Sequence, residues 1–209
     1  MEISELASEM TKRYGTVKRA RGTFLYTQKG IRLTDLYEEG GRAILGWGGS
    51  SAFTMFKNVL SRGLTGSFDT DFTPQIKKAV SELLGSDRII DIFTEKQDAL
   101  KAALMASPQN TSFWRPWNQE NIDWRKVDAV IVEPPLAWTP AIFIAALIPS
   151  AESEAALLSS NQKRIPASLA TAVTRSIYNI IAALQVREEK DWFIYDPVIT
   201  KYWTRKGPY

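Results

Sequence analysis

Arg88-Ile89-Ile90-Asp91-Ile92-Phe93-Thr94-Glu95-Lys96-Gln97-Asp98-Ala99-Leu100-Lys101-Ala102-Ala103-Leu104 is the stretch from which the rest of the chain can be read. Its first part, Ile89 to Phe93, is a bounded apolar run rich in β-branched residues, the pattern of a buried strand. Thr94, with Gln97 three places on, has the form of a capping box and predicts a helix that opens at once and runs through Leu104. Strand, tight turn and helix begin a βαβ unit. A turn of that kind aims free backbone N–H groups and the positive end of the helix dipole over the sheet edge, where phosphates are commonly held. Glu95 stands where an anion site would want Gly or Ser, and its carboxylate repels phosphate or fills the space.

Downstream of this unit, Ser107 to Trp124 is polar, aromatic and irregular, with Trp114-Arg115-Pro116-Trp117 at its centre. Val127 to Val132 is apolar on both faces, as a central parallel strand should be, and ends in Glu133-Pro134-Pro135. A further apolar run spans Ile142 to Ile148. Ser150 to Gln162 reads as a Ser/Ala/Glu-rich helix or linker. Ile165-Pro166 opens the longest helix, through about Val186, with Leu169, Val173, Ile177, Ile180, Ile181 and Leu184 in one stripe. Asp191 to Ile199 reads as an aromatic strand.

Upstream, Thr73-Pro74 is a helix start, cap then N1 proline, with Ile76, Val80 and Leu83 on one face. Ala52 to Leu60 is helical, closed by Gly63. Before it, Gly46-Trp47-Gly48-Gly49-Ser50-Ser51 either cradles an anion at the helix N-terminus or lets two chain segments cross closely. It matches neither the Walker A nor the dinucleotide fingerprint. Phe24, Tyr26, Ile31 and Leu33 flank Gln28-Lys29-Gly30 as a β-hairpin. Lys12, Arg13, Lys18, Arg19 and Arg21 read as a basic linker after a short amphipathic helix built on Ile3, Leu6 and Met10.

Composition narrows the chemistry. The 209 residues suffice for one substantial domain with an appendage, and 44% hydrophobic residues is ordinary for a folded chain. Cysteine and histidine are both absent, which excludes disulfides, thiolate zinc sites, Cys nucleophiles and His bases. Oxygen-only sites for magnesium or calcium stay open, although nothing resembles the alternating Asp/Asn loop of an EF-hand. The net charge of +3 is a small excess of 26 basic over 23 acidic residues and does not by itself argue for nucleic acid. Ala141 to Ile148, the longest apolar stretch, is far short of the roughly 20 residues a bilayer requires, and the acidic start Met1-Glu2-Ile3-Ser4-Glu5 is unlike a secretory signal. A cytoplasmic chain with no membrane contact is expected.

Together these elements predict an α/β fold: a mostly parallel sheet with helices on both faces, plus an N-terminal helix and β-hairpin arm. Residues 1–50 form the arm and residues 51–209 the α/β domain. Candidate ligand-binding residues are Gly48, Gly49, Ser50, Thr94, Lys96, Trp114 and Glu133; no catalytic residue and no metal ligand is assigned.

The order of elements resembles class III, fold-type-I PLP-dependent aminotransferases. Arg21-Gly22-Thr23-Phe24-Leu25-Tyr26, Lys29-Gly30, Leu33-Thr34-Asp35-Leu36 and Leu45-Gly46 are similar to that family's opening hairpin. Glu82 through Ala103 is similar to its helix, strand and cofactor-phosphate turn, Val130-Ile131-Val132-Glu133-Pro134 to its Glu-Pro strand, and Ile165 to Leu184 to its large-domain helix. The family's phosphate turn is Ser/Asn-Gly-Ser/Thr, where Thr94-Glu95-Lys96 stands here. Its pyridine-nitrogen aspartate has no counterpart in Ala141 to Pro149. Its Schiff-base lysine segment has no counterpart between Glu133 and Pro166, where Lys163 lies in a solvated setting.

The resemblance therefore implies a shortened, catalytically degenerate relative that binds no cofactor, pyridoxal phosphate (PLP) entering only through a non-standard lysine. It would act as a binding or interaction module, a homodimer with a possible protein partner, because the family builds its site across a dimer. The alternative is an active enzyme of unknown reaction, a transferase among the candidates, with a reshaped pocket near Gly48, Thr94, Lys96 and Glu133. Nucleic-acid binding through Lys12 to Arg21 and Arg205-Lys206 ranks last.

Overall fold

A computed structural model describes residues 3–48, 51–68, 70–71, 73–115, 122–160, 165–188, 203–204 and 207–208. The chain divides into two compact units, Met1–Ser50 with Tyr195–Tyr209, and Ser51–Ile194. The aromatic strand expected at Asp191 to Ile199 lies outside the described residues.

The first unit opens with helix α1 (Ile3–Tyr14). Strands β1 (Val17–Arg21), β2 (Phe24–Thr27) and β3 (Arg32–Thr34) follow as an antiparallel sheet in chain order. The hairpin at Gln28-Lys29-Gly30 is present, with Gly30 supplying the positive φ of 76° that an L side chain adopts only under strain. Lys29 Nζ reaches the last carbonyls of α1, donating to Lys12 O at 3.4 Å and Arg13 O at 3.5 Å. Of the basic run expected to be linker, Lys12 and Arg13 close α1 while Lys18, Arg19 and Arg21 lie in β1, so the hairpin has a third strand. The glycine cluster resolves as a close crossing: a Cβ on Gly46 would sit 3.2 Å from Gly22 Cα, where Gly22 N and Trp47 N exchange hydrogen bonds with each other's carbonyls. Asp35 anchors the turn between, accepting from Tyr37 N (3.1 Å), Glu38 N (3.0 Å) and Trp47 Nε1 (2.6 Å).

In the second unit α2 (Ser51–Ser61) and α3 (Thr73–Leu84) lead to β4 (Ile89–Phe93), α4 (Lys96–Ala106) and β5 (Thr111–Trp114). The 3-10 turn Trp124–Lys126 precedes β6 (Ala129–Val132); then come β7 (Phe143–Leu147), α5 (Ala151–Leu158) and α6 (Ala167–Glu188). The sheet order is β4-β7-β6-β5. This corrects the expectation of a mostly parallel sheet. β4, β5 and β6 do point the same way, but β7 runs against both of its neighbours, so only the β5–β6 pairing is parallel. Direction cannot be read from a run that is buried on both faces, because its hydrophobicity has no period. β5 carries no strand signature in the sequence, since Thr111 and Ser112 are polar.

Helices α4 and α5 cover one face of the sheet. Phe93, Ala129, Ile131, Phe143, Ala145 and Leu147 form one cluster with Ala99, Ala102 and Ala103 of α4 and Leu157 of α5. The alanines let α4 lie close on the sheet. The opposite face, Val130, Val132, Ile144 and Ala146, is fully buried as well. The unit's remaining helices pack together, α6 against α2 and α3, and contribute the buried Ile76, Val80, Val173 and Ile177. α6 carries an apolar window, Ala167–Leu184, long enough to cross a bilayer by composition, but 56% of it is buried inside the protein. Its inward hydroxyls are satisfied: Thr171 and Thr174 donate to carbonyls one turn back, and Ser176 Oγ donates to Pro135 O of a distant segment at 2.9 Å.

Candidate functional site

Because β4, β5 and β6 run in one direction, their C-terminal ends share one edge of the sheet, and that edge holds three of the seven sequence candidates, Thr94, Lys96 and Glu133. Thr94 and Lys96 follow β4, Arg115 follows β5 and Glu133 follows β6. Open α/β sheets usually bind ligands at this edge. Thr94 and Lys96 are exposed and Glu133 is half-buried. Gly48 belongs to the other unit, and Gly49, Ser50 and Lys163 lie outside the described residues.

The turn before α4 is not built as the sequence implies. The helix begins at Lys96 with Glu95 as N-cap, in extended backbone (φ −117°, ψ 132°) and with no side-chain capping bond. The Thr94–Gln97 box therefore does not form, since Thr94 lies one residue too early to reach the helical N–H groups. Lys96 Nζ instead sits 4.6 Å from the centroid of the Phe113 ring, with the Arg115 guanidinium 5.9 Å from the same ring.

Phe113, not Trp114, accompanies Lys96. Successive strand residues point to opposite faces. Phe113 packs with the α4 cluster, so Trp114 turns to the other face, where it is 1% exposed and its Nε1 has no hydrogen-bond partner among the described residues. The two conspicuous side chains of this segment are thus separated by the sheet.

Beyond Glu133 the chain is pinned. Pro134, Pro135 and Leu136 are buried, Ser176 of α6 holds Pro135 O, and Trp138 packs its ring on Phe53 (5.2 Å between centroids) and Phe56 (4.9 Å) of α2. Residues 133–142 are all that separates β6 from β7, and β7 then pairs with β6 on one side and β4 on the other.

Two charged residues overlooked in the sequence are built into this unit. Arg88 is fully buried and donates through Nε to Ser86 Oγ (2.9 Å), through Nη1 to Val127 O (2.7 Å) and Asp128 O (3.0 Å), and through Nη2 to Trp124 O (2.7 Å). It ties the start of β4 to the turn before β6. Burial lowers its pKa, which the nearby Asp128 partly offsets. Asp91, in the middle of β4, accepts from Ile92 N (2.7 Å) and Ser160 Oγ (3.3 Å). Burial pushes its carboxyl up to about 6 against those two hydrogen bonds. A charge interrupting an apolar strand was the available signal for Asp91; for Arg88 it was the position directly before one.

No family model matches the sequence. Uncharacterised proteins of Treponema pallidum (34% identical over 145 residues, 66% of this chain and 46% of the relative) and Borreliella burgdorferi (34% over 104 residues, 50% and 38%) are similar to it. The chain spans less than half the length of these curated relatives. Among solved structures it is similar to acetylornithine aminotransferase from Elizabethkingia anophelis, with a TM-score of 0.61 at 11% identity, covering 90% of this chain and 75% of that one. It is likewise similar to an ornithine aminotransferase from Plasmodium yoelii (0.58, 11%, 90% and 75%) and a glutamate-1-semialdehyde aminomutase from Pseudomonas aeruginosa (0.58, 10%, 85% and 70%). At this identity the likeness is one of fold. The chain has an aminotransferase-like α/β fold.

Proposed function

We propose that this protein is a shortened, catalytically degenerate relative of the class III aminotransferases, a homodimeric binding module of the cytoplasm that no longer uses a pyridoxal cofactor. The observation that carries this reading is the place of β7. Directly after the Glu133-Pro134 turn, the chain re-enters the sheet as an uncharged antiparallel strand hydrogen-bonded to both β6 and β4. The resemblance requires a strand with an aspartate, then a lysine segment, after the Glu-Pro pair; β7, the next strand, holds no carboxylate, and Lys163 is the one lysine between Glu133 and Pro166.

The donors at the sheet edge support the same reading when set against what pyridoxal phosphate needs. A phosphate wants small, uncharged residues at a helix N-terminus, and Glu95 places a carboxylate there. A pyridinium nitrogen wants a carboxylate from the sheet, and β7 reads Phe-Ile-Ala-Ala-Leu. The amine at this edge, Lys96, lies against Phe113. These residues do not fit the cofactor.

The test is spectroscopic. Adding PLP to the purified chain should give the spectrum of the free aldehyde alone, with no band that persists after gel filtration. A persistent aldimine band near the visible edge, fixed by borohydride onto a lysine, would restore the enzyme reading. Light scattering on the same sample should give twice the chain mass.

A further inference from the structure

We propose that the exposed face of the β1–β3 sheet is a binding platform for single-stranded nucleic acid, with Arg19, Arg21 and Arg32 contacting phosphates and Tyr26 and Phe24 stacking on bases. This inference rests on the first unit and is independent of the cofactor question.

Register sets the composition of that face. Arg19 pairs with Tyr26 and Tyr26 with Arg32; Arg21 pairs with Phe24 and Phe24 with Thr34. Residues directly opposite in an antiparallel pair share a face, as do residues two apart in one strand. Three arginines, two aromatic rings and a threonine therefore stand together, while Ala20, Leu25 and Leu33 form the other side. The ring contacts bear this out: the Arg19 guanidinium lies 5.6 Å from the centroid of Tyr26 and that of Arg32 4.7 Å from Phe24.

All three arginines are exposed, both rings are half-buried, and among the described residues none of the three arginines has a carboxylate partner. From Lys12 to Thr34 the chain holds seven basic residues and no acidic one. Two of the seven are committed elsewhere, Arg13 to Glu9 at 2.6 Å and Lys29 to the carbonyls of α1. The small net charge of the whole chain conceals this local excess.

The chemistry favours one class of partner. Guanidinium planes and aromatic rings at alternate positions offer phosphate contacts and stacking surfaces together, the combination used by single-strand binding grooves. A duplex keeps its base faces covered. An anionic bilayer would ask for long apolar side chains reaching past the charges, and this face carries no aliphatic side chain.

The experiment is a fluorescence-anisotropy titration of labelled oligodeoxythymidylate with the full chain across a salt series, beside co-sedimentation with phosphatidylserine vesicles. Saturable binding is expected, with a log–log salt slope of about −2 for three phosphate contacts at roughly −0.7 each. Arg19→Gln with Arg21→Gln and Arg32→Gln should weaken it about tenfold or more while circular dichroism stays unchanged. Tyr26→Leu should weaken it about fivefold or more through lost stacking and leave retention on heparin intact. No binding, a salt slope near zero, indifference to the triple change or to Tyr26→Leu, tighter binding of a duplex, or arginine-dependent binding of vesicles in place of the oligonucleotide would each overturn the proposal.

Discussion

The two sheets handle charge in opposite ways. In the four-stranded sheet β6 and β7 are wholly apolar, and the charged groups that reach it are tied down: Arg88 by four donated hydrogen bonds, Asp91 by Ile92 N and Ser160. In the three-stranded sheet Arg19, Arg21 and Arg32 stand in solvent with rings beside them and no carboxylate partner among the described residues. A buried charge must be satisfied internally or the fold does not form. A cluster of exposed like charges contributes nothing to the fold, and its composition points outward to a partner.

Substituting Arg88 tests the first half of that contrast with the largest effect. Arg88→Met removes all four hydrogen bonds and should lower unfolding stability by about 3 kcal/mol or more, since bonds to charged groups are worth roughly 1.5–3 kcal/mol each and are not additive. Urea unfolding measures it, and a loss below about 1 kcal/mol would mean the clamp is not formed. The three exposed arginines are the counterpart: their combined change to Gln, decisive for the oligonucleotide, should leave the urea midpoint essentially in place.

A smaller effect is expected from Asp91, and it depends on pH. Its folded-state pKa of about 6 lies above the ordinary 3.8, so the folded protein favours the protonated carboxyl. The stabilisation is fully present below about pH 4 and is lost as pH rises through about 6. Asp91→Asn should therefore unfold later than the parent at pH 7 and show no such gain at pH 4. Equal differences at both pH values would place the carboxyl in water.

The sequence was most legible where burial is periodic or continuous. Ile89 to Phe93, Val127 to Val132 and the stripe of α6 became β4, β6 and a helix whose Val173, Ile177 and Ile180 are buried. It was least legible where strand character and composition disagree. Val17-Lys18-Arg19-Ala20-Arg21 carries three charges in five residues, yet pairing with β2 makes it a strand. The candidate edge was found from the strand ends alone, but which ring lies beside Lys96 depends on the pleat of β5, which the chain sequence does not mark. The direction of β7 left no trace at all, and on it the functional reading turns.

That placement can be tested with the chain's own lack of cysteine. Ile90, Ala146 and Val130 occupy one rung across β4, β7 and β6. Neighbouring strands lie about 4.8 Å apart, so Ile90 and Val130 are roughly 10 Å from each other, beyond the ~7 Å a disulfide spans. Ile90→Cys with Ala146→Cys should oxidise to an intramolecular disulfide in the folded chain, and Ile90→Cys with Val130→Cys should not. A cross-link in the second pair and none in the first would set β4 directly against β6 and contradict the account.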